Sequence, residues 1–192
     1  MQAGYTLTRL VYRRLSERAA AWLLPTRISP THVTFVSAAL SFGGAGAFAA
    51  RWYVLGAALT LAGSLTDCID GDLARLGGTQ SKSGSYLDHV FDRWTDAALV
   101  IGVTASDFGS LAPLGIAALV GSFMTSYTRT KAQAVGTDCQ VGVGGRDARM
   151  LILVAAGVFR VPALGLGVVA ALGLFTAVHR MVWTIRRLDA DA

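Results

Sequence analysis

Charged residues, glutamate and cysteine are all scarce in this chain of 192 residues, whereas apolar residues are abundant. Only 15% of the residues are charged and 53% are hydrophobic, while an ordinary soluble domain carries about a quarter charged residues. One soluble core of this size cannot bury so much apolar surface. A soluble enzyme and a disordered chain are therefore both disfavoured, and the composition predicts an all-α membrane protein.

The two cysteines offer no disulfide framework, and the three scattered histidines form no zinc-type cluster. Proline is rare, with 4 residues, but glycine is frequent, with 22, which suits closely packed transmembrane helices. Eleven of the twelve acidic residues are aspartate, and Glu17 is the only glutamate. Because flexible glutamates are common on solvated helix faces, their near absence suggests that many of these acids are placed for coordination.

Residues 1–24 form a basic segment with apolar residues at helical spacing and arginines at the other positions. The pattern predicts an amphipathic helix that lies in the lipid headgroup layer; a basic helix packed on a protein partner is the alternative. Pro25 and Pro30 end this segment. Six apolar segments follow and predict a bundle of six transmembrane helices over residues 32–187, in a single domain spanning residues 1–192; they lie near 32–50, 53–76, 85–106, 111–134, 149–162 and 163–187.

The 17 lysines and arginines are distributed unevenly along these segments. With a cytoplasmic N-terminus, only Arg51 and Arg160 lie on the outer side of the membrane. Since positive residues concentrate on the cytoplasmic side, the sequence predicts both termini and the site in the cytoplasm, and a location in the cell membrane. Topology and anionic lipids then explain the net charge of +5, and no nucleic-acid partner is expected.

Aspartates interrupt the second and third apolar segments, where each charge near the bilayer centre costs about 2.5–3.5 kcal/mol. Asp67 and Asp70 are three residues apart and Asp88 and Asp92 are four apart, so each pair shares a helix face. A short turn makes the two helices antiparallel neighbours. Four facing carboxylates are stable together when divalent cations lie between them, and such ligands suit Mg²⁺ or Mn²⁺. The spacing predicts two cations that clamp a phosphate; aspartates at water-exposed helix ends are the alternative.

Small and basic residues accompany these acids. Gly71, Ala74 and Gly84 leave room for a ligand to approach the helix backbones. Arg75 adds a positive charge one turn beyond Asp70, which suits a phosphate. Together the carboxylates, small residues and arginine predict a site for a metal-bound pyrophosphate.

The stretch from Asp67 to Asp92 resembles the signature of the CDP-alcohol phosphotransferase family, DxxDGxxAR(x8)GxxxDxxxD. All eight fixed positions are present within 26 residues. Residues 30–34 are similar to the short motif that opens the first span in this family, with threonine where asparagine is frequent at the second position. Asp72 and Asp96 lie outside the signature, and we expect Asp72 to be solvated or to play a supporting role.

The resemblance implies an enzyme of phospholipid biosynthesis that needs two Mg²⁺ or Mn²⁺ ions. A CDP-lipid or CDP-alcohol donates its phosphoryl-alcohol unit to an acceptor hydroxyl, and CMP leaves. The implied metal ligands are Asp67, Asp70 and Asp88, and Asp92 is the implied general base and a further metal ligand. The implied CDP-binding residues are Asp67, Gly71, Ala74, Arg75, Gly84 and Thr34.

The resemblance also implies a homodimer. Small residues in the fourth segment, such as Gly115, Ala117 and Gly121, are expected to allow close packing. The other expected partners are membrane lipids, the CDP-lipid donor and the acceptor.

Basic residues near the ends of the last three segments bear on the acceptor. An SYxxxxA…VG…RxxR pattern is similar to the branch that makes phosphatidylinositol phosphate, archaetidylinositol phosphate or di-inositol-phosphate phosphate. In that branch, basic residues bind the acceptor phosphate, and Gly144 and Gly145 stand where Ala-Glu is common. We therefore expect a phosphorylated polyol, with inositol phosphate ahead of glycerol phosphate; ordinary anchoring of helix ends is the alternative. The matching positions are Arg129, Arg146, Arg149 and Arg180.

A divalent-cation transporter is the competing class of function, because intramembrane carboxylates also line ion pathways. The short chain, the arginine beside the acids and the absence of broken-helix repeats favour the enzyme. A purely structural membrane scaffold leaves the acids unexplained. Release of CMP from CDP-lipid with Mg²⁺ or Mn²⁺ distinguishes the enzyme from the transporter.

Overall fold

The computed structural model describes residues 6–26 and 28–190, and side chains from residue 15 onward. These ranges contain seven α-helices and no strand, which confirms the all-α class. A single 3-10 turn, Leu24–Thr26, follows the first helix. The helices are α1 (Thr6–Leu23), α2 (Pro30–Ala49), α3 (Tyr53–Leu76), α4 (Lys82–Ala105), α5 (Phe108–Ala134), α6 (Arg146–Val158) and α7 (Pro162–Ala190).

Local sequence determines where several helices begin and end. Ser29 caps α2 by accepting a hydrogen bond from the His32 backbone N–H, and Pro30 takes the first helical position. Arg51 and Arg160 have φ angles of 63° and 57°, the left-handed conformation in which many helices terminate. The two arginines that we expected on the outer side therefore lie in the tight turns after α2 and α6.

Three helices, α2, α5 and α7, are long and apolar enough to cross a membrane. With large apolar side chains such as Phe123, Leu164 and Phe175 exposed, they indicate an integral membrane protein. The other three expected spans are not both long and apolar enough. Helices α3 and α4 carry the aspartates, and α6 has only 13 residues, which make about 20 Å of helix against a hydrocarbon core of about 30 Å. The expected segment 149–162 extends past the end of α6 at Val158.

The α5–α7 contact shows how small residues set helix spacing. A Cβ atom on Gly173 would lie 2.7 Å from the carbonyl carbon of Gly121, so only glycine lets these two backbones come so close. Gly115 likewise faces the Thr104 side chain of α4, and Ala117 packs against the same core. These expected dimer-packing residues therefore serve packing within the chain.

The helices form two packed groups that contact each other through α4 and α5 and through α6. α2, α3 and α4 pack on one another, α5 packs on α7, and α6 contacts α3, α4 and α7. The turn at 77–81 places the end of α3 beside the start of α4. The start of α2 and the start of α6 reach the same end, and this is where the polar side chains gather.

Helix α1 packs on α3. Ser16 and Ala20 are buried, and Ala20 lies in a small apolar cluster with Val33 and Leu73. Leu15 and Trp22 remain 56% and 78% exposed. The helix thus has one side on the protein and apolar residues elsewhere; its place in the headgroup layer stays a prediction, and residues 1–5 lie outside the described ranges.

Candidate active site

Three of the four signature aspartates meet where α3 approaches α4. Asp67, Asp70 and Asp88 each offer a carboxylate oxygen, and these oxygens lie within 4.8 Å of one another. Asp70 is buried, whereas Asp67 and Asp88 are half-buried. Three hard oxygen ligands at this spacing fit a divalent cation such as Mg²⁺ or Mn²⁺. Helices α3 and α4 thus bring together three of the four aspartates that we expected to face one another.

Thr34 joins the start of α2 to this group. Its hydroxyl lies 2.5 Å from the Asp70 Oδ2 atom and 3.1 Å from the Pro30 carbonyl oxygen. Both Thr34 and Asp70 are buried, so the hydroxyl stabilises a carboxylate that has little access to water. The resemblance assigned Thr34 to the CDP site; in the structure it touches a predicted metal ligand.

Asp92 lies beside the three-carboxylate group and is linked to it through Arg146. The Arg146 Nη1 atom is 2.7 Å from Asp92 Oδ1 and 2.9 Å from Asp67 Oδ2. This arginine, which we expect to bind the acceptor phosphate, lies between a predicted metal ligand and the predicted base. One cation fits the three carboxylates directly, while a second cation next to Asp92 stays a prediction.

Asp96, one helical turn beyond Asp92, connects the basic residues. Its Oδ1 atom is 3.3 Å from Arg146 Nε, and its Oδ2 atom is 3.1 Å from Arg149 Nη2. Arg93 Nη1 lies 3.5 Å from the same Oδ2 atom. Sequence reasoning placed Asp96 outside the signature and gave it no role. Its spacing of four residues from Asp92, on the face that already carries Asp88 and Asp92, was the available signal.

Arg149 and Arg180 hold the segment between α5 and α6 in place. Arg149 Nη1 donates to the Gly144 carbonyl oxygen at 2.5 Å. Arg180 donates through Nε to the Val141 carbonyl at 2.8 Å and through Nη1 to the Thr125 carbonyl at 2.6 Å. Two of the predicted phosphate-binding arginines therefore already have buried backbone partners.

Steric contacts explain why position 144 is a glycine. Its N–H donates to Thr176 Oγ1 at 3.0 Å, and a Cβ atom would lie 2.8 Å from that oxygen and 2.9 Å from the Leu172 carbonyl oxygen. An alanine there requires this segment to move away from α7. Arg129, the fourth predicted arginine, is half-buried on α5, one turn after Thr125.

The side of the site away from α6 is more open. Arg75 is 60% exposed and pairs with Asp72. Asp72 is 5% exposed and accepts a hydrogen bond of 2.5 Å from Ser16 Oγ of α1. The expectation of a solvated Asp72 is wrong, because α1 covers it; a supporting role through its contact with Arg75 stays a prediction.

The small residues of the signature line this open side. A Cβ atom on Gly71 would meet only the Arg75 side chain, at 3.6 Å, so space for a ligand exists at this turn of α3. Ala74 is half-buried. Gly84 lies in the first turn of α4, where its N–H donates to Ser81 Oγ at 3.0 Å.

Comparison with known proteins gives a consistent result. Residues 26–183 match the family described as CDP-alcohol phosphatidyltransferase. The archaetidylinositol phosphate synthase of Methanothermobacter thermautotrophicus is 33% identical over 163 residues, which cover 82% of this chain and 83% of that protein. The crystal structure of Mycobacterium tuberculosis phosphatidylinositol phosphate synthase with CDP-DAG bound has a TM-score of 0.80 and 28% identity, over 89% of this chain and 94% of that one.

A second crystal structure of the mycobacterial enzyme, in complex with manganese and citrate, is similar to the same extent. Its TM-score is 0.80 at 28% identity, and the match covers 88% of each chain. The manganese in that structure agrees with the divalent cation that the three carboxylates of this chain fit.

Proposed function

This chain belongs to the CDP-alcohol phosphatidyltransferase family, and we propose that it transfers the phosphatidyl-type unit of a CDP-lipid to inositol phosphate, with release of CMP. The observation that carries the proposal is the position of the three carboxylates, Asp67, Asp70 and Asp88, beside two arginines of α6, one half-buried and one buried. The carboxylates suit a metal-bound diphosphate, and the arginines suit a second phosphate. A cation transporter needs no such arginines.

The donor is proposed to bind on the open side of the site. Gly71 and Ala74 leave space along α3, and the exposed guanidinium of Arg75 points a positive charge toward that space. Asp67, Asp70 and Asp88 hold the divalent cations, with Asp92 as a further ligand. When bound, these cations neutralise the diphosphate and make its phosphorus more susceptible to attack.

Asp92 is proposed as the general base. It takes the proton from the acceptor hydroxyl, whose oxygen forms a bond to the lipid-linked phosphorus of the donor. The bond from that phosphorus to the bridging oxygen breaks, and CMP leaves with the electron pair. Arg146, 2.7 Å from Asp92 Oδ1, holds the carboxylate in position at the boundary between the donor and acceptor sides.

The acceptor phosphate is proposed to bind the arginines near α6, namely Arg129, Arg146, Arg149 and Arg180. Arg149 and Arg180 each use donors on backbone carbonyls, which fixes the planes of their guanidinium groups. A guanidinium has five N–H donors, and the contacts of Arg149 with Gly144 and Asp96 use two of them, so Arg149 has further donors for a phosphate. The names of the relatives, archaetidylinositol phosphate synthase and phosphatidylinositol phosphate synthase, favour inositol phosphate over glycerol phosphate.

The membrane arrangement is part of the same proposal. We propose that α2–α7 are the six membrane segments, although α6 is shorter than the hydrocarbon core at 13 residues. Both termini and the site are proposed to face the cytoplasm, and α1 to lie in the headgroup layer. The exposed Leu15 and Trp22 of α1 and the positions of Arg51 and Arg160 at the opposite end support this arrangement. A homodimer, implied by the family, is tested by the mass of the purified protein in detergent.

The test of function is a substrate panel with the purified full chain. CDP-lipids with diacyl and with archaeal ether backbones are each combined with inositol phosphate, glycerol phosphate, free inositol and serine, and CMP release is followed with Mg²⁺ or Mn²⁺. We expect inositol phosphate to react, and neither EDTA-treated protein nor Asp92→Asn to release CMP at a comparable rate. Reaction with serine or free inositol but not with inositol phosphate overturns the acceptor assignment. No CMP with any acceptor overturns the proposed function.

A further inference from the structure

Asp96 contacts three arginines in the polar region, although it belongs to no part of the signature. Three guanidinium groups lie within 3.5 Å of its carboxylate, from Arg93, Arg146 and Arg149. Its side chain is 15% exposed, and that of Arg149 is 5% exposed. A carboxylate so placed compensates buried positive charge that otherwise opposes folding.

The two oxygens of Asp96 contact different arginines. Oδ1 faces Arg146 Nε, and Oδ2 faces Arg149 Nη2. Each guanidinium has a second fixed contact, Arg146 with Asp67 and Arg149 with the Gly144 carbonyl. Two contacts on different nitrogen atoms define the plane of a guanidinium, and hence the direction of its remaining N–H donors.

We propose that Asp96 is a positioning residue for the acceptor: it holds the guanidinium planes of Arg146 and Arg149 so that their remaining donors converge on the acceptor phosphate. This inference rests on the proposed function, since it assumes a phosphorylated acceptor. Asp96 itself contacts neither substrate. Its effect is carried by the arginines, so it sets the affinity for the acceptor and leaves that for the donor largely unchanged.

Asp96 can act as a counter-charge or as a group that orients the arginines, and these two roles predict opposite changes in the acceptor KM when Asp96 is removed. If Asp96 acts only as a counter-charge, its removal makes the pocket more positive and lowers the KM for a phosphorylated acceptor. If it acts through orientation, removal frees the guanidinium groups to rotate and raises that KM. Two charge-assisted hydrogen bonds depend on the carboxylate, so we expect orientation to dominate, with an increase of roughly tenfold or more.

The experiment compares Asp96→Asn with Asp72→Asn in the full-length enzyme. Asp72 is the matched control because it is also an aspartate outside the signature, buried, and paired with an arginine, here Arg75 on the donor side. Initial rates of CMP release are measured while inositol phosphate and CDP-lipid are varied in turn. Asp96→Asn is expected to raise the acceptor KM with little change in the donor KM, and Asp72→Asn is expected to show the reverse.

A second variant, Asp96→Glu, separates orientation from charge and also covers a folding defect of Asp96→Asn. It keeps the negative charge but moves the carboxylate by one methylene, so the acceptor KM rises if orientation matters and stays unchanged if only charge matters. An unchanged or lowered acceptor KM in the folded Asp96 variants overturns the inference. A wild-type enzyme that does not use inositol phosphate overturns the proposed function instead, so the two failures are distinguishable.

Discussion

The proposed donor and acceptor sides of the site differ in how their arginines are held. Arg75, on the donor side, is 60% exposed and has one carboxylate partner, Asp72. Arg146 and Arg149, on the acceptor side, are 24% and 5% exposed and each contact partners from more than one segment. One side offers an exposed charge with a single partner, and the other offers charges held by several partners in a largely buried network.

This difference matches the two kinds of ligand. A CDP-lipid has a diphosphate for the metal ions and acyl or ether chains for the bilayer, so its arginine adds one contact among several. A small phosphorylated polyol comes from water and is recognised chiefly by its phosphate. Flexible side chains lose conformational entropy when they bind a ligand, whereas N–H donors that are already oriented lose little. The comparison therefore predicts that substitutions have larger effects on the acceptor side than at Arg75.

The largest effect is expected at the metal group, on which both sides depend. Asp70→Asn keeps the shape of the side chain and an acceptor for the Thr34 hydroxyl, but it removes the charge of one proposed ligand. We expect kcat/KM for CMP release to fall roughly 1,000-fold, corresponding to about 4 kcal/mol of transition-state stabilisation. Electron paramagnetic resonance of Mn²⁺ measures the accompanying loss of metal binding.

The control for Asp70→Asn is Asp138→Asn. Asp138 is an exposed aspartate between α5 and α6 that accepts a hydrogen bond from Gln140. We expect this variant to bind Mn²⁺ and to react as the wild type does. Normal Mn²⁺ affinity in Asp70→Asn would show that the three carboxylates do not hold the ion. The metal group would then not be the feature on which both sides depend.

The donor side was largely predictable from sequence because its geometry is local. Asp67 and Asp70 share a face of α3 through the helical repeat alone, and the short turn at 77–81 determines that α4 returns beside α3. The expected second segment, 53–76, coincides with α3. The meeting of Asp67, Asp70 and Asp88 follows from these two facts.

The acceptor side was less predictable because its contacts join distant segments. Arg146 is 79 residues from Asp67, and Arg149 is 53 residues from Asp96. The rotation of α6 about its axis decides these contacts, and that rotation depends on packing against three other helices. The burial of Asp72 was missed for the same reason, since it depends on how α1 lies on α3.

The second largest effect is expected for Arg149→Gln, which tests the acceptor side directly. Loss of a charged donor to a phosphate corresponds to about 1.5–3 kcal/mol, or roughly a 10- to 100-fold increase in the acceptor KM. The donor KM is expected to change little. Initial-rate kinetics with each substrate varied in turn provide both values.

Arg186→Gln is the matched control for Arg149→Gln, because Arg186 is an exposed arginine near the end of α7. If these arginines only anchor helices at the inner surface, the two variants behave alike. We expect Arg186→Gln to leave the acceptor KM unchanged. Equal effects in the two variants would remove the distinction between a binding arginine and an anchoring one.

A smaller effect is expected for Thr34→Val, which removes the 2.5 Å hydrogen bond to Asp70 at nearly constant volume. A buried carboxylate without this donor is less stable as an anion and a poorer support for the cation, so we expect the Mn²⁺ dissociation constant to rise about tenfold. Thr34→Ser should restore the affinity. Thr66→Val is the control, since Thr66 donates only to the Ala62 carbonyl of its own helix; a similar loss there would show that any α2 or α3 threonine has this effect.

The smallest effect is expected for Arg75→Lys on the donor side. Lysine keeps the charge and loses the planar fork, and at an exposed position the difference is worth at most about 1 kcal/mol, or roughly a fivefold change in the donor KM. The same change at Arg149, where the guanidinium is fixed by Asp96 and the Gly144 carbonyl, removes an oriented donor and is expected to raise the acceptor KM by a larger factor. Because both variants exchange arginine for lysine, the ratio of the two KM changes isolates orientation from charge. A ratio near one would mean that the buried and the exposed arginine serve equally well, and the contrast between the two sides would then have no functional consequence.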